Sequence, residues 1–349
     1  MKLPARIGAV EFNEDTIRIA VVHTGGRAPS ITEVSSCRAA YESASERFEA
    51  LVAAVKHARS RLKSKPAAWV LCARSDCAIA RKLTLPFKGR GKVAAAVAFE
   101  LEPYLAFPIE ELAVDYSIIR EADGNTEVLT VGVRRTLMEE QLDVLSAGGI
   151  EVEGIGLDAT GLSSLLRTTR GGGNGLAAAL HVRDSGSSLV VTQGASLVFL
   201  RHLPMTADQF RDEPAGAARE VQNTLRAFQA SWPEEDATLS ELQVTGQAMS
   251  EVHRGEFEQE VAVAVQYVDL LGTLKGAGLA KVNEPPVLVG PGGPVTVSGY
   301  EESAESEPGA PPNAWPALAG VAVTASGGPY ALDFRTGPLA APTAWSGLT

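Results

Sequence analysis

Phe99-Glu-Leu-Glu-Pro-Tyr-Leu-Ala-Phe-Pro-Ile-Glu-Glu-Leu-Ala-Val-Asp-Tyr116 is the stretch on which the fold turns. It begins inside an apolar helix that starts near Lys92, with Val93, Val97, Leu101, Tyr104 and Leu105 at roughly helical spacing. Phe107-Pro108 stops that helix, because proline disfavours helical backbone in the residue before it. Leu112, Val114 and Tyr116 then alternate with polar or small neighbours, as a strand does. Two glutamates on the helix and two past Pro108 make the exposed side acidic. A helix that ends at an aromatic-proline hook and feeds a strand reads as a small domain inserted in a larger fold, with no catalytic group of its own.

On the N-terminal side, Ile7 to Phe12 and Thr16 to Val22 read as a hairpin around Asn13-Glu-Asp15. A third strand is predicted near Ile31 to Arg38, then an amphipathic helix over Glu42 to Lys63 with Phe48, Leu51, Val52, Val55 and Leu62 facing inward. Trp69 to Cys72 is a short buried strand. The inserted unit carries a second strand at Glu127 to Val133 and a helix at Leu137 to Ala147, closed by Gly148-Gly149. Ile150 to Ile155 is a further strand and Asp158 to Arg167 a helix with aspartate in its first turn. Past the glycine-rich joint at 171–175, three strands alternate well: Leu176 to Val182, Ser187 to Gln193 and Ser196 to Leu203. A helix over Ala215 to Gln229, a strand at Glu241 to Thr245 and a helix over Phe257 to Leu274 come next. Asn283 to Gly299 is rich in Pro, Gly and Val, and the acidic run Glu301 to Glu307 reads as solvated linker. Ala317 to Ala325 is a short apolar helix, and Leu332-Asp-Phe-Arg-Thr-Gly337 a strand-like end.

Two halves thus each open with a three-strand meander and then helices, and the first half carries an α+β insertion. That is the plan of an actin-like, ribonuclease H-like two-lobed α/β fold. The expected division is a first lobe over 1–79, the insertion over 80–149 and a return and hinge over 150–175. The second lobe takes 176–325 with a loose segment at 283–316, and a juxtamembrane-like tail takes 326–349.

Composition narrows the function. With 31 basic and 42 acidic residues in 349, the net charge of −11 argues against nucleic acid and anionic membranes as nonspecific partners. Cys37, Cys72 and Cys77 show neither disulfide nor zinc spacing. The five histidines lack ligand spacing, and no nucleophile elbow is present. No apolar run approaches the ~20 residues that span a bilayer, and the first residues do not form a signal peptide, so a cytoplasmic location is expected. Arg81, Lys82, Lys88, Arg90 and Lys92 form a basic run at the entrance to the insertion, read as a solvated loop or a contact for an acidic partner.

The Phe99 to Tyr116 stretch resembles the "E-x-E-x-Y-I-P-F-P-x-E-E…D-Y" segment of PilM-type pilus-assembly proteins, whose architecture the cytoplasmic domain of the type II secretion protein GspL shares. Val128 to Val133, Met138 to Ile155 and Arg201-His-Leu-Pro204 extend the resemblance over nearly the whole chain. Leu332-Asp-Phe-Arg-Thr-Gly337 resembles the "N-L-R-x-G" segment of GspL-like proteins, with Asp333 for asparagine and Phe334 for leucine. In PilM systems such a peptide belongs to a separate partner, PilN.

The resemblance implies a nucleotide site, and its motifs are degraded. The first phosphate hairpin, "D-I-G-x-x-x-x-K" in ATP-binding relatives, here has Glu11 at the aspartate, Asn13 at the glycine, and the acids Glu14 and Asp15 in the loop. Anionic side chains facing phosphate are unfavourable without a cation between them. The second hairpin has His181 at the carboxylate and Arg183 at the glycine ahead of Gly186, and the adenine-side motif keeps one glycine, Gly246. The expectation is no cofactor and no ATP hydrolysis, with weak ATP–magnesium binding left open.

The resemblance and the degraded motifs together imply a non-enzymatic adaptor at the cytoplasmic face of the inner membrane. It would couple a GspE-like secretion ATPase to GspM- or GspF-like platform proteins, a homodimer being a further option. Leu332, Phe334 and Arg335 would enter a groove between the insertion and the first half by strand addition, and Arg81, Lys82 and Lys88 would meet a partner. The alternative is a PilM-like pilus protein that binds ATP and a PilN-like peptide.

Overall fold

The fold is described from a computed structural model over residues 6–25, 28–170, 173–184, 186–232, 238–246, 251–295, 314–335 and 339–340. The acidic run, Gln247-Ala248 of the adenine-side motif, Thr336-Gly337 and the last nine residues lie outside the described residues.

In the first lobe, β1 (Arg6–Asn13), β2 (Thr16–His23) and β3 (Ser30–Ala39) make an antiparallel meander. After α1 (Arg47–Ser60), β4 (Ala68–Ala73) pairs parallel to β1. The insertion then supplies β5 (Ala78–Leu85), α2 (Arg90–Leu101), β6 (Leu112–Ala122) and β7 (Asn125–Arg134), its sheet ordered β5-β7-β6. Helix α3 (Arg135–Ala147) returns to α1, and its last turn is closed by Gly149 at φ 81° with the Ile150 N–H on the Leu145 carbonyl. Strand β8 (Gly154–Leu157) pairs parallel to β4, and α4 (Asp158–Arg170) leads to the second lobe.

There β9 (Leu176–Val182), β10 (Ser187–Gln193) and β11 (Ser196–Leu203) repeat the meander. Helices α5 (Ala207–Asp212) and α6 (Pro214–Ser231) precede β12 (Glu241–Gly246), parallel to β9. Helix α7 (Glu251–Glu260), β13 (Ala264–Val268) and α8 (Leu270–Thr273) come after it. Strands β14 (Val287–Gly290) and β15 (Gly293–Pro294) then join the edge of the first-lobe sheet, and α9 (Ala314–Ala325) ends the regular structure.

The two large sheets therefore run β15-β14-β3-β2-β1-β4-β8 and β11-β10-β9-β12-β13. Leaving out the added hairpin, strand order and sense are the same in both, the repeat that an actin-like fold requires. Strands β1 and β2 are buried on both faces because α1 covers one side and α9 the other. Helix α9 is apolar all round because it is enclosed all round, between the first sheet and α4. The crossing of α4 and α9 is close: a Cβ on Gly320 would stand 2.0 Å from the Gly161 carbonyl oxygen, so only glycine fits.

Four expectations need correction. The helix predicted over Phe257 to Leu274 breaks into α7, β13 and α8. Its segment Val261-Ala-Val-Ala-Val-Gln-Tyr-Val268 alternates at a period of two, and β12 offers it a free edge. The loose segment 283–316, assigned to the second lobe, holds β14, which pairs with β3 of the first, and β15, which pairs with β14, and Ala314 to Pro316 open α9. A pairing partner some 250 residues away leaves no local trace. Phe48, predicted inward, is 50% exposed, because α1 begins only at Arg47 and its buried face is set by Leu51, Val52 and Val55. The basic run is no loop at its start, since Arg81 and Lys82 lie on β5.

Candidate functional site

Two places in the molecule have the make-up of a site: the junction between lobes where a phosphate would lie, and the groove beside β8. At the first, Glu11, Asn13, Asp15, His181 and Arg183 of the sequence reading each have a protein partner. Glu11 and Arg18 face each other across the β1–β2 pair, the guanidinium donating to the carboxylate at 2.9 Å, with both side chains buried. Asn13 accepts from Arg74 Nη1 at 2.9 Å. Asp15 is drawn away toward α1, where Tyr41 Oη donates to it at 2.7 Å and Arg47 Nε at 2.9 Å.

The corner after β4, Arg74-Ser75-Asp76, is the hub of this junction. Arg74 Nε donates to both Asp76 oxygens, at 3.0 and 3.2 Å. Burial works against ionisation of Asp76, but Arg74 outweighs it and holds the carboxyl below its ordinary range. Ser75 donates through its N–H, at 3.0 Å, and through its hydroxyl to Asp158 Oδ1 at the start of α4. Arg183, from the second-lobe turn, closes an ion pair with Asp158 Oδ2. The chain of contacts Asn13–Arg74–Asp76 and Ser75–Asp158–Arg183 so joins the hairpin, the corner, the linking helix and the second lobe.

His181 is fully buried, with Nε2 3.0 Å from Ser163 Oγ and Nδ1 2.9 Å from Thr245 Oγ1. Desolvation pushes its pKa down to about 3, so it is a neutral cross-link between β9, α4 and β12. Gly186, at φ 120°, packs on His202, and Gly246 has φ 116° at the end of β12. Among the described residues no three His, Cys, Asp or Glu side chains gather as metal ligands.

The groove is built differently. Residues Leu332 to Arg335 run along the outer edge of β8. Phe334 N–H donates to the Ile155 carbonyl at 2.9 Å, and Ile155 N–H to Asp333 Oδ1 at 3.0 Å. From the insertion, Asp115 Oδ2 accepts the Asp333 N–H at 2.8 Å. Arg335 Nε reaches the Val152 carbonyl at 3.2 Å. Phe334 is wholly buried and Leu332 nearly so. Asp115 is desolvated there, with the Asp333 carboxylate close by. Burial pushes its pKa up to about 6, although the Asp333 and Tyr116 N–H groups pull the other way.

The basic run is dispersed by the fold. Arg81 lies over the Tyr104 ring at 3.9 Å. Lys82 pairs with Glu127 at 2.8 Å and lies 5.2 Å from the Trp232 ring of the second lobe, so it ties the insertion down. Lys88 is exposed in the loop before α2. Sequence reasoning named Arg183 as a displaced glycine but missed its counter-ion Asp158, along with Arg74, Ser75 and Asp115. The available signal was Arg183 itself, since an arginine placed where the fold is dense needs a carboxylate beside it.

No curated protein sequence matches the chain. Among solved structures, the PilM–PilN type IV pilus biogenesis complex aligns over 93% of this chain and 99% of its own, with a TM-score of 0.66 and 15% identity. The cytoplasmic domain of Vibrio cholerae EpsL, an inner-membrane component of the type II secretion system, aligns over 73% and 94%, with a TM-score of 0.44 and 13% identity. A Bacteroides thetaiotaomicron protein with an actin-like ATPase fold aligns over 76% and 91%, at 0.45 and 10%. The family described as type IV pilus assembly protein PilM matches residues 29–214, more than half of the sequence. The chain belongs to the PilM family of type IV pilus assembly proteins.

Proposed function

We propose that this PilM-family chain is a non-enzymatic assembly adaptor that works without nucleotide and carries its groove peptide on its own chain, in the manner of a type II secretion GspL-like cytoplasmic domain. The observation that carries this reading is the seating of Leu332 to Arg335 beside β8, with Phe334 buried and its main chain paired to Ile155. The segment forms no strand: one main-chain bond, Phe334 N–H to the Ile155 carbonyl, is completed by the Asp333 carboxylate on the Ile155 N–H, and the pocketed Phe334 supplies specificity. The junction between lobes supports the nucleotide-free part. Asn13, Asp158 and Arg183 are already matched by protein groups, and a phosphate would have to displace a buried ion pair to enter. The adaptor would stand at the cytoplasmic face of the inner membrane between a GspE-like ATPase and GspM- or GspF-like platform proteins.

A second reading is a pilus protein that takes a PilN-like peptide from a partner and binds ATP. The whole-chain likeness to the PilM–PilN complex favours it. Two measurements separate the readings. Calorimetry with ATP and magnesium is expected to give no saturable heat, and a stoichiometric signal would establish the second reading. Removing residues 330–349 is expected to speed amide exchange in Gly154–Leu157, and a synthetic peptide of residues 330–340 to restore protection. Unchanged exchange after the deletion would sink the proposal.

A further inference from the structure

The net charge of −11 conceals a local reversal. Between Lys56 and Lys65, five of ten residues are lysine or arginine and none is acidic: Lys56, Arg59, Arg61, Lys63 and Lys65. The fold gathers this run at the C-terminal end of α1 and in the loop to Pro66. All five cationic residues are exposed. Arg61 has a loose partner in Glu284 at 3.8 Å. The other four make no ion pair with a described residue, although the Lys63 charge reaches Glu33. Glu33 is itself engaged by the loop, accepting from the Lys63 and Ser64 N–H groups. With Ser60, Ser64 and Trp69, the four cations line a shallow cavity of about 310 Å³. Its floor is the half-buried indole of Trp69, which lies flat over Gly8, where a Cβ would stand 2.4 Å from the ring.

We propose that this face, formed by Lys56, Arg59, Lys63 and Lys65 around Trp69, docks the protein on an anionic phospholipid surface. Long, exposed cations without an ion pair among the described residues suit a fluid array of headgroup phosphates, which demands charge density rather than fixed geometry. A run of four to eight basic residues is the pattern that attracts anionic headgroups, and an indole at its centre favours the boundary between water and acyl chains. The face adjoins the groove: the Glu153 N–H pairs with the Trp69 carbonyl, and Arg335 Nε with the carbonyl of the preceding Val152. A chain whose summed charge repels such a surface is therefore oriented by one face, the other sides being held off. This inference does not depend on the state of the nucleotide junction or on who supplies the groove peptide.

Vesicle co-sedimentation of the full chain tests it, using phosphatidylcholine vesicles with and without phosphatidylglycerol. The expected result is partition to the anionic vesicles alone, weakened by added salt. The quadruple variant Lys56→Ala/Arg59→Ala/Lys63→Ala/Lys65→Ala should lose roughly a hundredfold or more in partition, at about fivefold per cation. These side chains are exposed, so circular dichroism should show the variant folded. The variant Arg90→Ala/Lys92→Ala, which removes two exposed cations from the insertion, should lose less than any single substitution in the patch. Equal loss per cation in both variants would overturn the assignment, as would absence of binding by the parent protein. Patch-dependent retention on polyglutamate beads without binding to anionic vesicles would also overturn it, and would identify an acidic protein surface instead.

Discussion

The junction between the lobes and the groove beside β8 both hold carboxylates against other protein groups, but they meet them by different means. At the junction each acid has a cation of its own: the buried Glu11 has Arg18, the part-buried Asp76 has Arg74 and the buried Asp158 has Arg183. In the groove, Asp115 and Asp333 lie together and are met by N–H groups of Asp333, Tyr116, Ile155 and Arg335. A buried charge pair is costly to open, because opening it strands two ions in a poor solvent. A segment held through main-chain N–H groups and a few side chains, Phe334 in its pocket first among them, can be replaced by another extended segment that offers the same groups. The first arrangement makes a fixed joint, and the second a seat that can be vacated.

The largest effect that would break this contrast is at the joint. Arg183→Ala leaves Asp158 buried with only the Ser75 and Ala159 donors, and should cost about 3 kcal/mol in urea unfolding. A loss below about 1 kcal/mol, the range of an exposed ion pair, would show that the joint is no firmer than the seat. Next in size is Phe334→Ala. Emptying a fully buried aromatic site costs about 3 kcal/mol where the side chain is part of a cooperative core. Here the residue lies on a seated segment, so much of that loss should appear as local release. Exchange and proteolysis near residues 330–335 should then rise more than the global midpoint falls. A full-sized drop in the midpoint with no local release would make the segment part of the core rather than a ligand of it.

Legibility in the sequence divides along the same line, between local and distant causes. Strands Leu176–Val182, Ser187–Gln193 and Ser196–Leu203 fall where their alternation places them, because a meander is specified by neighbours and turns. Strand β5 was missed because Arg81 and Lys82 mask its alternation, and their partners Tyr104 and Glu127 come from other elements. Strand β14 was missed because what makes it a strand is β3. At the candidate sites, Glu11, Asn13, His181 and Arg183 were identifiable as departures from a phosphate-binding pattern. That Arg183 answers Asp158, and that Asp115 meets Asp333, depends on contacts spanning 25 and 218 residues, which no spacing rule reaches.

The smallest predicted effect is the sharpest test of the seat. Asp115 has its folded pKa raised to about 6, so between the ordinary aspartate value and 6 the folded protein holds a proton that the unfolded chain has released. Stability from this group is thus greatest at low pH and falls as pH rises through about 6, the reverse of the usual carboxylate behaviour. Protonation also relieves the repulsion from Asp333, so the segment should be seated more firmly near pH 5 than near pH 8. Asp115→Asn keeps an oxygen that can accept the Asp333 N–H and removes the charge. It should raise stability at pH 8 by about 1 kcal/mol and flatten the slope between pH 4 and 7, leaving the midpoint near pH 4 almost unmoved. Urea midpoints across that range, with exchange at Gly154–Leu157 measured in parallel, distinguish this from a general packing change. An asparagine variant that is less stable at every pH would mean that the negative charge itself holds the segment, and the seat would then resemble the joint after all.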